Sequence, residues 1–173
     1  MDSDILEWHG KVKGVDKSEI LNSWLEYPDA KHSWKQFIEY LDAYHLFRTG
    51  GKKTKFSAPI AAGYNIFRFD MKIVDRLAEK YGGYDKKEKG NSIFHARDRI
   101  DIMNIVYLWF RYIPEIKSIS LDNMRNYLGI DSTNAHDAIK DVSDCAEILI
   151  RFLKLHKNLS SKIQFKNSFV TNE

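Results

Sequence analysis

Cysteine is nearly absent: Cys145 is the only one in 173 residues. An internal disulfide is therefore impossible, and a cysteine-rich zinc site is excluded. No apolar run reaches the length a membrane span needs. The opening residues, Met1-Asp2-Ser3-Asp4, are acidic and lack the apolar region of a signal peptide. These absences fit a reducing, cytoplasmic setting. There is no internal repeat, and the excess of positive charge is mild. The formal net charge of +3 permits a polyanionic partner without arguing for one. What is present is ordinary for a globular protein: 43% hydrophobic and 29% charged residues, in a chain long enough for one domain with a sizeable core. The expected organisation is one domain over 1–157 and a polar tail over 158–173, whose Ile163, Phe165, Phe169 and Val170 could still dock.

Residues 5 to 15 show no clear period. Asp16 to Leu25 predicts a short helix with Asp16 as N-cap, and Pro28 closes that segment. His32 to Phe47 predicts a second helix. The basic loop Thr49 to Ser57 contains Gly50-Gly51-Lys52-Lys53-Thr54, but it lacks the earlier glycine and the hydroxyl residue directly after the first lysine that a phosphate loop requires. It reads as a solvated basic loop. Ile60 to Ala62 predicts a short buried strand, followed by turn signals at Gly63 and Asn65. Ile73, Val74, Leu77, Ala78 and Tyr81 then share one helix face. Gly82 to Gly90 reads as a charged loop, and Ser92 to Ile102 as a loose strand with Asp101 at its end. An apolar helix over Ile102 to Tyr112 is closed by Pro114. A shorter helix, capped by Ser120 or Asp122, runs to Leu128 with Gly129 as its C-cap. Asp131 to Asn134 is a turn cluster, and a long helix covers about Asp137 to His156. Few strands among many helices read as α/β with part of a parallel sheet.

Two carboxylates fall where apolar side chains are expected. Asp70 heads the stripe of Ile73, Val74 and Leu77 at the strand-to-helix junction. An ionised carboxylate is costly to bury without a partner. The plainer reading is a helix cap. On the last helix, Asp141 lies between Ile148 and Phe152, whereas Lys140, Asp144, Glu147, Arg151 and Lys154 line the solvent face. Asp141 lies inside the helix, so capping does not account for it. His136 stands five residues earlier and can approach Asp141 only from the turn before the helix. The plainer reading of His136 is a helix-start surface residue. Converging carboxylates are hard oxygen donors suited to Mg²⁺ or Mn²⁺. Two such ions can drive phosphodiester hydrolysis, with a neutral histidine taking the proton of the attacking water.

The stretch Gly63-Tyr64-Asn65-Ile66-Phe67-Arg68-Phe69-Asp70 resembles the second motif of the DnaQ-like 3′–5′ exonucleases of the DEDD group. Ala135-His136-Asp137-Ala138-Ile139-Lys140-Asp141 resembles their third motif in the histidine-bearing (DEDDh) subgroup. Asp101-Ile102-Met103 and Leu121 to Ile130 resemble the segments between, and the likeness runs from about His9 to Leu155. It implies a ribonuclease-H-like fold with Asp70 and Asp141 as metal ligands, His136 as general base, and Asn65 helping to place the terminal nucleotide. Phe67 or Phe69 could pack against a base, although core packing is the plainer role. The implied cofactor is Mg²⁺ or Mn²⁺. The implied substrate is the 3′ end of single-stranded DNA or RNA, and the implied setting is proofreading.

The first family motif, an Asp-x-Glu on the first strand of an antiparallel meander, has no counterpart. Asp2-Ser3-Asp4 has the wrong second acid and no apolar strand around it. The expectation is therefore an N-terminally truncated exonuclease domain with the meander missing, inactive alone. Its partner would be a polymerase or a chain carrying the Asp-x-Glu strand. The alternatives are a non-catalytic nucleic-acid-binding or scaffold module of a replication complex, and an unrelated α/β domain with two chance motifs.

Overall fold

The computed structural model describes residues 3–46, 54, 56–133, 135 and 137–163. Among them the fold is mixed α/β, mostly helical with a small amount of sheet. The chain forms two compact units, one comprising residues 1–61 and 67–99 and the other residues 62–66 and 100–173.

In the first unit, α1 (Ser3–Lys13) packs on α2 (Lys17–Leu25). The expected N-cap is present: Asp16 accepts the Ser18 amide at 2.8 Å. Helix α1 itself was not expected, because apolar and charged residues alternate along it without a clean stripe. Helix α3 covers Ala30–Asp42 rather than 32–47, since Asp29 caps it by accepting the Lys31 and His32 amides. It buries Trp34, whose indole donates to the Gly82 carbonyl at 3.0 Å. Lys52, Lys53 and Lys55 of the basic loop lie outside the described residues.

Helix α4 spans Asp70–Tyr81, as the spacing predicts. The charged loop after it contains a small antiparallel hairpin. Tyr84–Asp85 pairs with Gly90–Asn91 in the register Tyr84 to Asn91 and Asp85 to Gly90. Asp75 of α4 ties this hairpin down, accepting from the Asn91 amide at 2.8 Å and from the Asn91 side chain at 2.6 Å.

In the remaining sheet, Ala61–Gly63 pairs with Arg99–Asp101. Residues 62–63 and 100–101 of these strands belong to the second unit. The strand expected over 92–102 shrinks to three residues. The helices of the second unit among the described residues are α5 (Ile102–Phe110), α6 (Leu121–Leu128) and α7 (Ala138–Ser160). Their caps match the sequence signals. Asp101 accepts the Met103 amide, Ser120 accepts the Asn123 amide, and Gly129 ends α6 in the left-handed region. Ile102, Val106, Met124, Ile130 and Ile148 form the core, with Tyr64, Cys145 and Phe152 packed on it. Helix α7 runs on to Ser160, and residues 164–173 lie outside the described part.

Two glycines at positive φ give a graded stability test. A Cβ on Gly129 would meet nothing within 4 Å, whereas one on Gly83 would come to 2.9 Å from Ile93 Cγ2. Gly129→Ala is expected to cost about 1 kcal/mol from backbone strain alone. Gly83→Ala is expected to cost about 2–3 kcal/mol, because a buried contact adds to the strain. Urea denaturation of both variants checks the order.

Candidate functional site

The turn after the first paired strand is built around Asp101. One oxygen of this carboxylate accepts the Asn65 amide at 2.9 Å and the Met103 amide at 3.0 Å. It thus caps α5 and fixes the turn together. Asn65 sits at φ 58, a conformation Asn tolerates better than most residues. The Tyr64 hydroxyl donates to the Ile119 carbonyl. Burial, reinforced by Cys145 and Asp101, pushes the phenol far above its ordinary value, so it stays a donor at any physiological pH. Cys145 of α7 belongs to the same core, and burial raises its thiol. The turn carrying Asn65 and the helix carrying Asp141 therefore share one core in the second unit.

The densest charge cluster in that unit surrounds Arg125. Its side chain is 1% exposed. Nε donates to Asp144 at 2.6 Å, Nη1 to Asp122 at 2.5 Å, and Nη2 to Asp141. Lys140 adds a 2.5 Å bond to Asp144 and a 2.6 Å bond to the Asp131 carbonyl. Burial alone would pull the Arg125 guanidinium down, but the bonds to Asp144, Asp141 and Asp122 outweigh it, and the net shift is upward. Burial would raise the Asp144 carboxyl, yet Lys140 and Arg125 together hold it below its ordinary 3.8.

This cluster corrects the helical reading of α7. Asp144, assigned to the solvent face, is the buried acid at 2% exposure. Asp141 is half-buried, whereas Ile139 and Val142 are exposed. The helix is rotated because a paired acid can face inward. Arg125 was missed, though a signal was available: it shares the apolar stripe of Leu121 and Leu128 on α6.

Asp70 also departs from expectation. It is exposed, and Phe69 rather than Asp70 holds the N-cap position of α4. The inward line is Met71 and Ala78, with Asp75 half-buried beside them. As the first helical residue, Asp70 places its charge at the favourable end of the helix dipole. Phe67 and Phe69 are exposed, not core residues. Of the four residues singled out from sequence, Asn65 and Asp141 lie in the second unit and Asp70 in the first. His136 lies outside the described residues.

The fit to a divalent ion is incomplete. Among the described residues no three His, Cys, Asp or Glu side chains cluster as a metal site. Asp141, an expected ligand, accepts from Arg125. Two carboxylates do not balance a pair of divalent ions.

The ion-pair cluster predicts a sharp asymmetry. Arg125→Met leaves Asp144 buried with only Lys140 as a cation and is expected to cost about 3–5 kcal/mol. Asp122, 54% exposed at its side chain, is expected to cost under about 1 kcal/mol as Asp122→Asn. The Asp144 carboxyl is depressed in the folded state. Its contribution is therefore present above 3.8 and lost as pH falls through the lower folded value. Asp144→Asn should flatten the acid limb of the stability–pH curve, measured by urea melts between neutral and strongly acid pH.

No protein-family model matches this chain, and neither does any curated protein or solved structure.

Proposed function

We propose that the chain is the C-terminal portion of a DnaQ-like 3′–5′ exonuclease of ribonuclease-H-like fold, acting on the 3′ ends of single-stranded nucleic acid. What supports the reading most is the sharing of one core by the Asn65 turn and α7, since these carry the stretches that resemble the second and third motifs. In this reading Asp70 and Asp141 supply two of four metal-binding carboxylates, and His136 is the general base. Asn65 positions the terminal nucleotide. The 173 residues contain no Asp-x-Glu, so the other two acids would come from a further segment or a partner chain. The chain by itself would then hold Mg²⁺ or Mn²⁺ weakly and hydrolyse little.

One observation favours a second reading, a non-catalytic nucleic-acid-binding or scaffold module. Arg125 places a permanent cation on Asp141, where an exonuclease would place its metal. Absence of any membrane-length apolar helix among the described residues is compatible with either reading.

Mn²⁺ titration followed by electron paramagnetic resonance separates the two. The exonuclease reading expects a weakly bound ion that is lost in both Asp70→Asn and Asp141→Asn. Binding that neither substitution changes, or no binding at all, would favour the scaffold module. Rapid release of 3′ nucleotides from a labelled single strand by the chain alone would show that the missing ligands are already present.

A further inference from the structure

The first unit contains a cleft of about 290 Å³ whose lining includes neither Asp70 nor Asp141. One wall is the start of α4 with Phe67 before it. The hairpin from Asp85 to Ser92 forms another, and the segment from Ala96 to Arg99 a third. The volume sits at the small end of ligand pockets, which begin at about 300 Å³.

Two guanidiniums line the cleft. Arg97 lies 5.3 Å over the Phe56 ring, and Arg99 lies 6.0 Å over Phe94. Aromatic faces hold a guanidinium flat without consuming its donors. Arg99 spends one donor on the Asp98 carbonyl at 2.8 Å. Neither arginine is in a salt bridge among the described residues. Burial pulls the Arg99 guanidinium below its ordinary value, opposed by the charges of Asp75 and Asp98. A partly desolvated cation without a direct ion pair is a standing demand for an oxyanion.

The apolar part of the lining is equally specific. Phe67 is 49% exposed, and Met71, four residues on in the first turn of α4, belongs to the same lining. A half-exposed flat ring beside a thioether suits a planar aromatic group. The lining acids restrict the ligand further. Asp75 accepts from Asn91, Asp85 accepts the Lys87 and Glu88 amides, and Glu88 is the third acid of the lining. Three carboxylates against two guanidiniums repel a run of consecutive phosphates and restrict an anion to a single phosphate held at the arginines.

We propose that this cleft binds a nucleoside monophosphate without a metal ion, the phosphate on Arg97 and Arg99 and the base against Phe67 and Met71. The two arginines supply charge-assisted donors. The ring supplies stacking that accepts any base, and the cleft volume suits one nucleotide.

The test is calorimetric titration of the full chain with AMP, GMP, CMP and UMP in EDTA, with inorganic phosphate as the probe of the anion half alone. EDTA removes any ion at Asp70 and Asp141, so failure here leaves the exonuclease reading untouched, and failure there leaves this one untouched. At least one nucleotide is expected to bind, and inorganic phosphate to bind about tenfold more weakly. Arg97→Met should weaken binding by about tenfold and Phe67→Ala by about fivefold. Both side chains are exposed, and circular dichroism checks that the variants fold. No binding of any nucleotide at about millimolar concentration would overturn the proposal. So would affinity unchanged in Arg97→Met, or phosphate binding as tightly as the nucleotides.

Discussion

A guanidinium cannot be withdrawn from water unless negative charge goes with it, and the second unit is arranged around that requirement. Arg125 is on α6, and two of its three carboxylate partners are on α7. The pairing therefore fixes how these helices face each other, in addition to the apolar contacts of Met124 and Ile148 beside it. Apolar packing tolerates small rotations of a helix about its axis. A three-pronged set of bonds from one planar group tolerates far less. Lys140 completes the arrangement by taking the second oxygen of Asp144 and reaching back to the turn before α7. Such a network costs desolvation to assemble, and its return is a single allowed helix orientation rather than a large net stability.

The first unit applies the same economy with neutral partners. Asp75 reaches from α4 to Asn91 and holds the hairpin through a backbone amide and a side-chain amide at once. Asp101 performs a comparable double duty at the head of α5. In each case one carboxylate oxygen satisfies two donors. The sheets are too short to organise these segments by ladder bonds, and side-chain acceptors do so instead.

Much of this was legible before any coordinates. Asp16, Asp101, Ser120 and Gly129 mark helix ends through local chemistry, which depends on a few neighbouring residues and so survives in the sequence. The face each helix turns inward was less legible. Ranking α4 and α7 by apolar side chains places Asp75 and Asp144 outside, because such a ranking cannot know that Asn91, Arg125 and Lys140 wait for them. Both helices are rotated toward their paired acid, and Asp70 moves to the exposed surface as a result. Sequence periodicity detects burial driven by hydrophobicity. It is blind to burial driven by a partner far along the chain. Phe67 and Phe69 failed in the opposite sense: aromatic identity suggested interior positions, yet the turn that holds them points both outward. Asn65 and Asp141 are chain neighbours of Tyr64 and Cys145 respectively, and these two pack against the core of the second unit. The bond between Asp141 and Arg125 had no signature outside the stripe of α6.

Neither compact unit is a continuous piece of chain. Five residues, 62–66, belong to the second unit, and the polypeptide then returns to the first for 67–99 before the second resumes. Tyr64 must wait for a carbonyl 55 residues further on. During synthesis on the ribosome, the tyrosine emerges early into a folding environment that cannot yet accommodate it. The first unit can close around Trp34 and α4 before the Ile119 carbonyl has been made. Vectorial assembly is thus imposed by connectivity, and a domain boundary drawn anywhere between residues 62 and 99 would sever one unit from its own interior.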